Sequence, residues 1–221
     1  MPTISKEDYI KTIFNFHNED GLPVTTSKIA NKLEVTNSAI SEMAKKLAME
    51  GYLDYSKYKG MNLTRSGEKV AMQILRRHRL WELFLIEVLG LSWDEVHDEA
   101  EKLEHSTSDS LIDKIDEYLG FPKFDPHGSP IPQRNGILPK IPKSIPLTDC
   151  EVGNSYSIVR VNDSDNELMA YLLKIGLVLS SSLFLSDRLS FDNSITIKLA
   201  DATYSLSEKV AEQIFVAEEI L

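Results

Sequence analysis

Apolar residues recur through the first half of the chain at helical spacing. In "SKEDYIKTIFNFHNE" the residues Tyr9, Ile10, Ile13, Phe14 and Phe16 fall on one stripe, with Ser5 as a cap and Asp8 three residues later. "GLP" at 21–23 ends this helix. "TTSKIANKLEV" repeats the pattern with Ile29, Ala30 and Leu33. After a very short turn, "TNSAISEMAKKLAMEGYL" buries Ile40, Met43, Ala44 and Leu47. Two short helices joined in this way predict a helix-turn-helix. Alternation in "GYLDYSKYKGMNLT" predicts a hairpin with Tyr58, Lys59 and Gly60 at its tip, which makes the motif a winged one. A long helical pattern runs through "TRSGEKVAMQILRRHRLWELFLIEVLG", and "SWDEVHDEAEKLEH" opens the next helix with Ser92 as cap and Glu95 at the reciprocal position.

The pattern then changes. Prolines recur too often for a helix in "FPKFDPHGSPIPQRNGILPKIPKSIP", so residues 121–146 read as a connector in extended or turn conformations. Beyond it, "SYSIVRV", "LVLSSSLFL", "SITIKLA" and "ATYSLS" predict short strands, with "ELMAYLLKIG" a helix between the first two. The expected organisation is a DNA-binding domain over 1–74, a helical domain over 75–120, the connector and a small β domain over 147–221. The fold class is mainly α with a small β domain.

Composition alters this picture little. With 221 residues, 42% apolar and 26% charged, the chain is an ordinary globular protein. Its N-terminus threads charges through its apolar residues, unlike a secretory signal, and no run approaches a membrane span. A single cysteine, Cys150, forms no intramolecular disulfide, so the expected location is the cytoplasm, with no membrane partner.

Charge is more informative. The net charge of −10 argues at first against a polyanionic partner. Residues 1–60, however, carry 8 basic and 8 acidic side chains, whereas 61–120 carry 7 and 13. Cations bound in the acidic middle would relieve its repulsion of DNA.

That acidic middle contains "EVHDEAEKLEH", residues 95–105. At about 100° per residue, with His97 at zero, Glu101 falls near +40°, Glu104 near −20° and His105 near +80°. These metal-ligand types share one face. On the preceding helix His78 and Glu82 are four apart, and the short turn between the helices lets them meet His97. Glu101, Glu104 and His105 need a further ligand from outside their helix. A solvated acidic face is the ordinary meaning of a charge run. Two histidines at i and i+8, with carboxylates between them and a His/Glu pair opposite, favour metal.

The second helix of the helix-turn-helix begins with Thr36, Asn37, Ser38 and Ser41, small enough for close approach to base edges, and lysines follow at 45, 46, 57 and 59. A helical core without a DNA role would share this outline. Histidine and glutamate clusters also build metalloenzymes and metal stores. The chain carries no nucleophile elbow, phosphate-binding glycine loop or HExxH, and a storage role leaves the helix-turn-helix without a purpose. The expectation is a regulator rather than an enzyme.

"RRHRLWELFLIEVLGLSWDEVHDEAEKLEH", followed by "HGSPIP" at 127–132, resembles the diphtheria toxin repressor family of metal-activated bacterial transcription regulators, along nearly the whole chain. The resemblance implies a winged helix-turn-helix, dimerisation helices and a C-terminal SH3-like domain of the FeoA type. It implies a primary site at Asp8, Glu101, Glu104 and His105 and an ancillary site at His78, Glu82 and His97, to which Asp165 or Glu167 of the C-terminal domain adds a ligand. It places Ser38, Ala39 and Ser41 near bases and Thr36 near a phosphate, and puts Glu42 where the toxin repressor has glutamine; Asn37, Lys45 and Lys59 complete the expected DNA-binding residues.

The iron branch usually has methionine at position 8 and cysteine at 101, where this chain has carboxylates, as in the manganese branch. Hard carboxylates in place of thioether and thiolate favour Mn²⁺, with Fe²⁺ the alternative. Lys11 stands where short manganese regulators have a glutamate, which sets their two-metal arrangement apart from this chain. The implied function is metal-activated repression of metal-uptake genes by a homodimer on double-stranded operator DNA.

Overall fold

The computed structural model describes residues 5–56, 59–163 and 165–218, so Tyr58 of the expected hairpin tip, and Lys57 before it, lie outside the described residues. The chain folds as two compact units, one comprising residues to Arg77 with Pro132–Ile137, the other His78–Ile131 with Leu138 onward.

In the first unit, α1 (Lys6–Asp20) starts on a capping box: Ser5 accepts from the Asp8 amide, and the Asp8 carboxylate accepts from the Ser5 amide at 3.2 Å. Gly21, at φ 65°, closes it. α2 (Thr26–Lys32) and α3 (Asn37–Met49) form the helix-turn-helix, capped by Thr25 and Thr36. β1 (Leu53–Ser56) and β2 (Gly60–Leu63) pair antiparallel from Leu53–Leu63 to Ser56–Gly60. Tyr9, Ile10, Ile13, Ile29, Ile40, Leu47 and Met61 make one core. At its centre the Tyr9 hydroxyl donates to the Ile40 carbonyl at 3.0 Å, tying α1 to α3. Burial pushes the pKa of this phenol far above its ordinary range, so it stays protonated.

α4 (Arg65–Glu87) carries His78 and Glu82 in its second half. Gly90, at φ 74°, lets the chain turn after it. The Ser92 hydroxyl and amide both donate to Glu95, as the sequence leads one to expect, but α5 (Val96–Glu104) begins only after that pair, which caps a turn rather than the helix. α6 (Asp109–Tyr118) follows a Ser108 cap and packs Ile112 and Ile115 on Leu80, Leu83 and Ile131.

The proline-rich segment is more structured than a connector. Its Asp125 carboxylate accepts from the amides of His127 (2.9 Å) and Ser129 (2.8 Å), closing a tight buried loop. Gly128, at φ 84°, allows that loop to lie against the following domain: an added Cβ would be 2.1 Å from the Val159 carbonyl. The Val161 amide donates to the His127 carbonyl at 2.9 Å.

The β domain contains β3 (Ile145–Pro146), β4 (Ser155–Val161), α7 (Asn166–Ile175), β5 (Ser182–Arg188), β6 (Ile195–Leu199), β7 (Ala202–Leu206), α8 (Glu208–Ala211) and β8 (Ile214–Glu218). Its antiparallel sheet has the order β3-β8-β4-β5-β6-β7. Alternating residues such as Ile158, Leu183, Leu185, Ile195, Ile197 and Val216 fill its core with Met169 and Leu172 of α7. The sequence pattern anticipates β4, β5, β6, β7 and α7 but misses β8. No helix among the described residues is long and apolar enough to cross a membrane.

Candidate metal centre and DNA-reading surface

All three residues expected in the ancillary set meet within the second unit. His78 Nε2 lies 3.1 Å from Glu82 Oε1, and His97 Nδ1 lies 3.4 Å from the same oxygen. Glu101 touches both imidazoles, 3.8 Å from His78 and 3.9 Å from His97. Glu101, Glu104 and His105 each bring one ligand atom within 4.8 Å of the others. Glu104 is fully buried, with Oε2 at 2.6 Å from His78 Nδ1 and Oε1 at 3.4 Å from His105 Nε2. The helical phase that aligns 97, 101, 104 and 105 thus acts on real neighbours. Asp8 belongs to the first unit, where it completes the cap of α1.

The β domain supplies its acidic partner from an unexpected position. Asp163, just past β4, brings a carboxylate oxygen within 4.8 Å of Glu82 and His97 ligand atoms. Asp165 is instead the N-cap of α7, its carboxylate accepting from the Glu167 and Leu168 amides, and Glu167 lies in the first turn.

Asp125 and His127 were not anticipated by any spacing in the sequence. Both are buried, and His127 Nε2 lies 3.9 Å from Glu82 Oε1. Both oxygens of Glu82, Nδ1 of His97, Oδ2 of Asp125 and both ring nitrogens of His127 are buried without an aligned hydrogen-bond partner. They are six of the nine such atoms among the described residues, gathered in one place. Arg79 Nε, 3.5 Å from Asp125 Oδ2, and the imidazoles beside Glu82 Oε1 compensate part of this group by charge; a buried polar atom left without any hydrogen bond costs about 1–3 kcal/mol, and a bound cation would satisfy the remainder.

The electrostatics agree. Burial would raise Glu82, but the charge of His78 and the contacts with His78 and His97 hold its carboxyl well below the usual range. Burial keeps the His127 imidazole neutral to lower pH than usual, against the pull of Glu82 and Asp163. Burial, then the Glu82 charge, pushes Asp125 well above the usual carboxylate range. The neutral His127 imidazole and the ionised Glu82 carboxylate are the forms that bind metal, whereas Asp125 would have to give up its proton when a cation binds. Donors around one ion at about 2.0–2.2 Å stand no more than about 4.4 Å apart, which accommodates the contacts at Glu82 Oε1.

On the first unit, Asn37, Ser38, Ala39, Glu42, Lys45 and Lys59 are exposed. Thr36 spends its hydroxyl on the Ala39 amide, and Ser41 donates to the Asn37 carbonyl. The starts of α2 and α3 and the hairpin enclose a groove of about 300 Å³ with Thr25, Thr26, Ser27, Asn37, Ser41 and Ser56 among its lining.

Sequence comparison agrees with this architecture. The iron dependent repressor N-terminal DNA binding domain matches residues 1–61, the iron dependent repressor metal binding and dimerisation domain 64–133, and the FeoA domain 145–218. An HTH-type transcriptional regulator MntR of Oceanobacillus iheyensis is 39% identical over 125 residues, 57% of this chain and 84% of that protein.

The chain belongs to the diphtheria toxin repressor family.

It is thereby a metal-dependent transcriptional repressor with a helix-turn-helix domain, a helical dimerisation domain and an SH3-like domain. Within the family it is 32% identical to the iron-dependent repressor IdeR of Mycobacterium tuberculosis over 126 residues, 57% of this chain and 54% of that protein. A solved manganese-dependent transcriptional repressor in complex with manganese superposes with a TM-score of 0.90 at 38% identity, covering 97% of this chain and all of that one. ScaR with bound Cd²⁺ gives 0.86 at 32% identity, covering 98% and 100%.

Proposed function

We propose that this chain is a Mn²⁺-activated repressor of metal-uptake genes, with Fe²⁺ the alternative activator. The observation that carries this reading is the convergence of buried oxygen and nitrogen atoms from Glu82, His97, Asp125 and His127 that make no aligned hydrogen bond, with Asp163 beside Glu82 and His97. Every donor is a carboxylate or an imidazole. The only cysteine is buried in the β-domain core, so no thiolate is available to select a softer ion. Superposition on a manganese-dependent repressor that holds manganese is consistent with this preference.

The reading comprises two ligand sets. Glu101, Glu104 and His105, which the family resemblance completes with Asp8, make one; Glu82, His97, His127 and Asp163, with Asp125 adjacent, make the other, and His78 touches both. A bound divalent ion supplies positive charge to each. Asp8 carries the linkage: it stands one residue before Tyr9, whose hydroxyl holds the Ile40 carbonyl of α3. Stabilising the position of α1 therefore stabilises that of the recognition helix, and tighter binding of metal to the DNA-competent arrangement strengthens DNA binding by the same factor.

Asn37, Ser38, Ala39, Ser41 and Glu42 face operator bases, while Thr36, Lys45, Lys59 and the hydroxyl groove serve the phosphates. Val88, Leu89, Leu111, Tyr118 and Phe121 expose apolar surface on the helical domain, as a homodimer interface requires.

Operator binding followed by fluorescence anisotropy at fixed salt tests the reading. DNA from metal-uptake promoters and from the gene's own promoter should bind tightly with Mn²⁺ and weakly after chelation, and Glu104→Ala should abolish the difference. Equal binding with and without metal refutes it.

A further inference from the structure

We propose that Trp93 is the positioning residue of the Glu82, His97, His127 and Asp163 cluster, seating the His127 imidazole by ring contact where no hydrogen bond does. The proposal rests on reading that cluster as a metal site. A metal-bound histidine ordinarily donates its second ring N–H to a carboxylate or carbonyl, which fixes both tautomer and ring orientation. His127 departs from that arrangement: it is fully buried, and neither ring nitrogen has a hydrogen-bond partner among the described residues. Its orientation must therefore come from packing.

Trp93 provides that packing. Its ring centroid lies 4.9 Å from that of His127, with the planes inclined at 44°. The indole N–H donates to the Pro126 carbonyl at 3.1 Å, so the same side chain holds the backbone of the residue preceding His127. Trp93 is itself fixed: it packs against the β-domain core and stands four residues before His97. One side chain thus links the α4–α5 turn, the 125–129 loop and the domain that contributes Asp163. A large, rigid aromatic loses little rotamer freedom in serving as such a wall.

The test uses the full-length protein and counts free Mn²⁺ by electron paramagnetic resonance during titration. Trp93→Leu should weaken one ion by tenfold or more and leave the other unchanged. His127→Ala should weaken the same ion, and Trp93→Leu combined with His127→Ala should lose no more than His127→Ala alone. Trp93→Phe, which keeps a ring but not the N–H, should fold normally, lose about threefold in affinity and shift the visible spectrum of Co²⁺ bound at that site.

Wild-type affinity and Co²⁺ spectrum in Trp93→Phe, or additive losses in the double variant, would overturn the positioning role. If His127→Ala also bound both ions like wild type, the site reading would fail together with the proposal. An effect of His127→Ala without one from either Trp93 variant would remove the proposal alone.

Discussion

His78 and Glu104 share a buried hydrogen bond, with Nδ1 2.6 Å from Oε2. The other nitrogen of the same ring lies 3.1 Å from Glu82. Sequence similarity divides these residues between two sites, His78 and Glu82 in one and Glu104 in the other. The structure makes them a single run of alternating imidazoles and carboxylates. Each His78 nitrogen faces a different set, so the protonation and tautomer demanded by one set constrain the other.

His78→Ala is therefore expected to weaken Mn²⁺ at both sets, about 10- to 100-fold each, and to remove any cooperativity between them. Calorimetric titration checks this. Loss confined to one ion would separate the sets.

Asp163 and Asp165 should behave oppositely. Asp163→Ala is expected to lower affinity for one ion about 10- to 100-fold with little change in melting temperature. Asp165→Ala should cost about 1 kcal/mol of stability through loss of the α7 cap and leave metal affinity unchanged. Denaturant unfolding and Mn²⁺ titration of the two variants decide the matter.

Gly128→Ala combines a left-handed backbone with a Cβ 2.1 Å from the Val159 carbonyl. A destabilisation of about 3 kcal/mol is expected, with weaker metal binding because His127 is the preceding residue. A denaturation midpoint equal to wild type would count against the tight seating of the loop.

Replacing Asp8 by Met together with Glu101 by Cys should soften the first set, improving activation by Fe²⁺ and Zn²⁺ relative to Mn²⁺ by about tenfold. The readout is the ranking of metals in operator binding; an unchanged ranking would exclude donor hardness as the basis of selectivity.

Burial pushes the Cys150 thiol up to about 11. At pH 8 only about one thiol in a thousand is then ionised, so iodoacetamide should label the native protein at least tenfold more slowly than the denatured one, and labelling should accelerate as pH rises toward that value. Equal rates in the two states would show the thiol to be accessible and unperturbed.

Much of this site is legible in one dimension because it lies on helices. Helical phase alone puts His97, Glu101, Glu104 and His105 on one face, and places His78 beside Glu82 one turn on. Asp125, His127 and Asp163 carry no such period. They enter from loops, and only the folded loop aims His127 at Glu82. A signal was nonetheless present at Asp165: an aspartate directly before a helical run is the commonest use of that residue as a cap, which leaves its carboxylate committed. Ser92 and Glu95 teach the opposite, since the reciprocal pair forms but α5 begins after it. The turn supplies the capping geometry, while burial of Val96 and Ala100 sets where the helix starts. Strand β8 escapes a sequence reading because it is entered through the short helix α8 and has no turn signature of its own.

The pairing of β3 with β8, Ile145 opposite Val216, brings the entry and exit of the C-terminal domain side by side. A module that closes on itself at a single seam can be spliced onto an ancestor, or shed from it, at one junction without unravelling its own sheet. Its usefulness then hinges on what it offers across that junction, which in this chain includes a carboxylate, Asp163, and a surface cut to receive the glycine of a neighbouring loop.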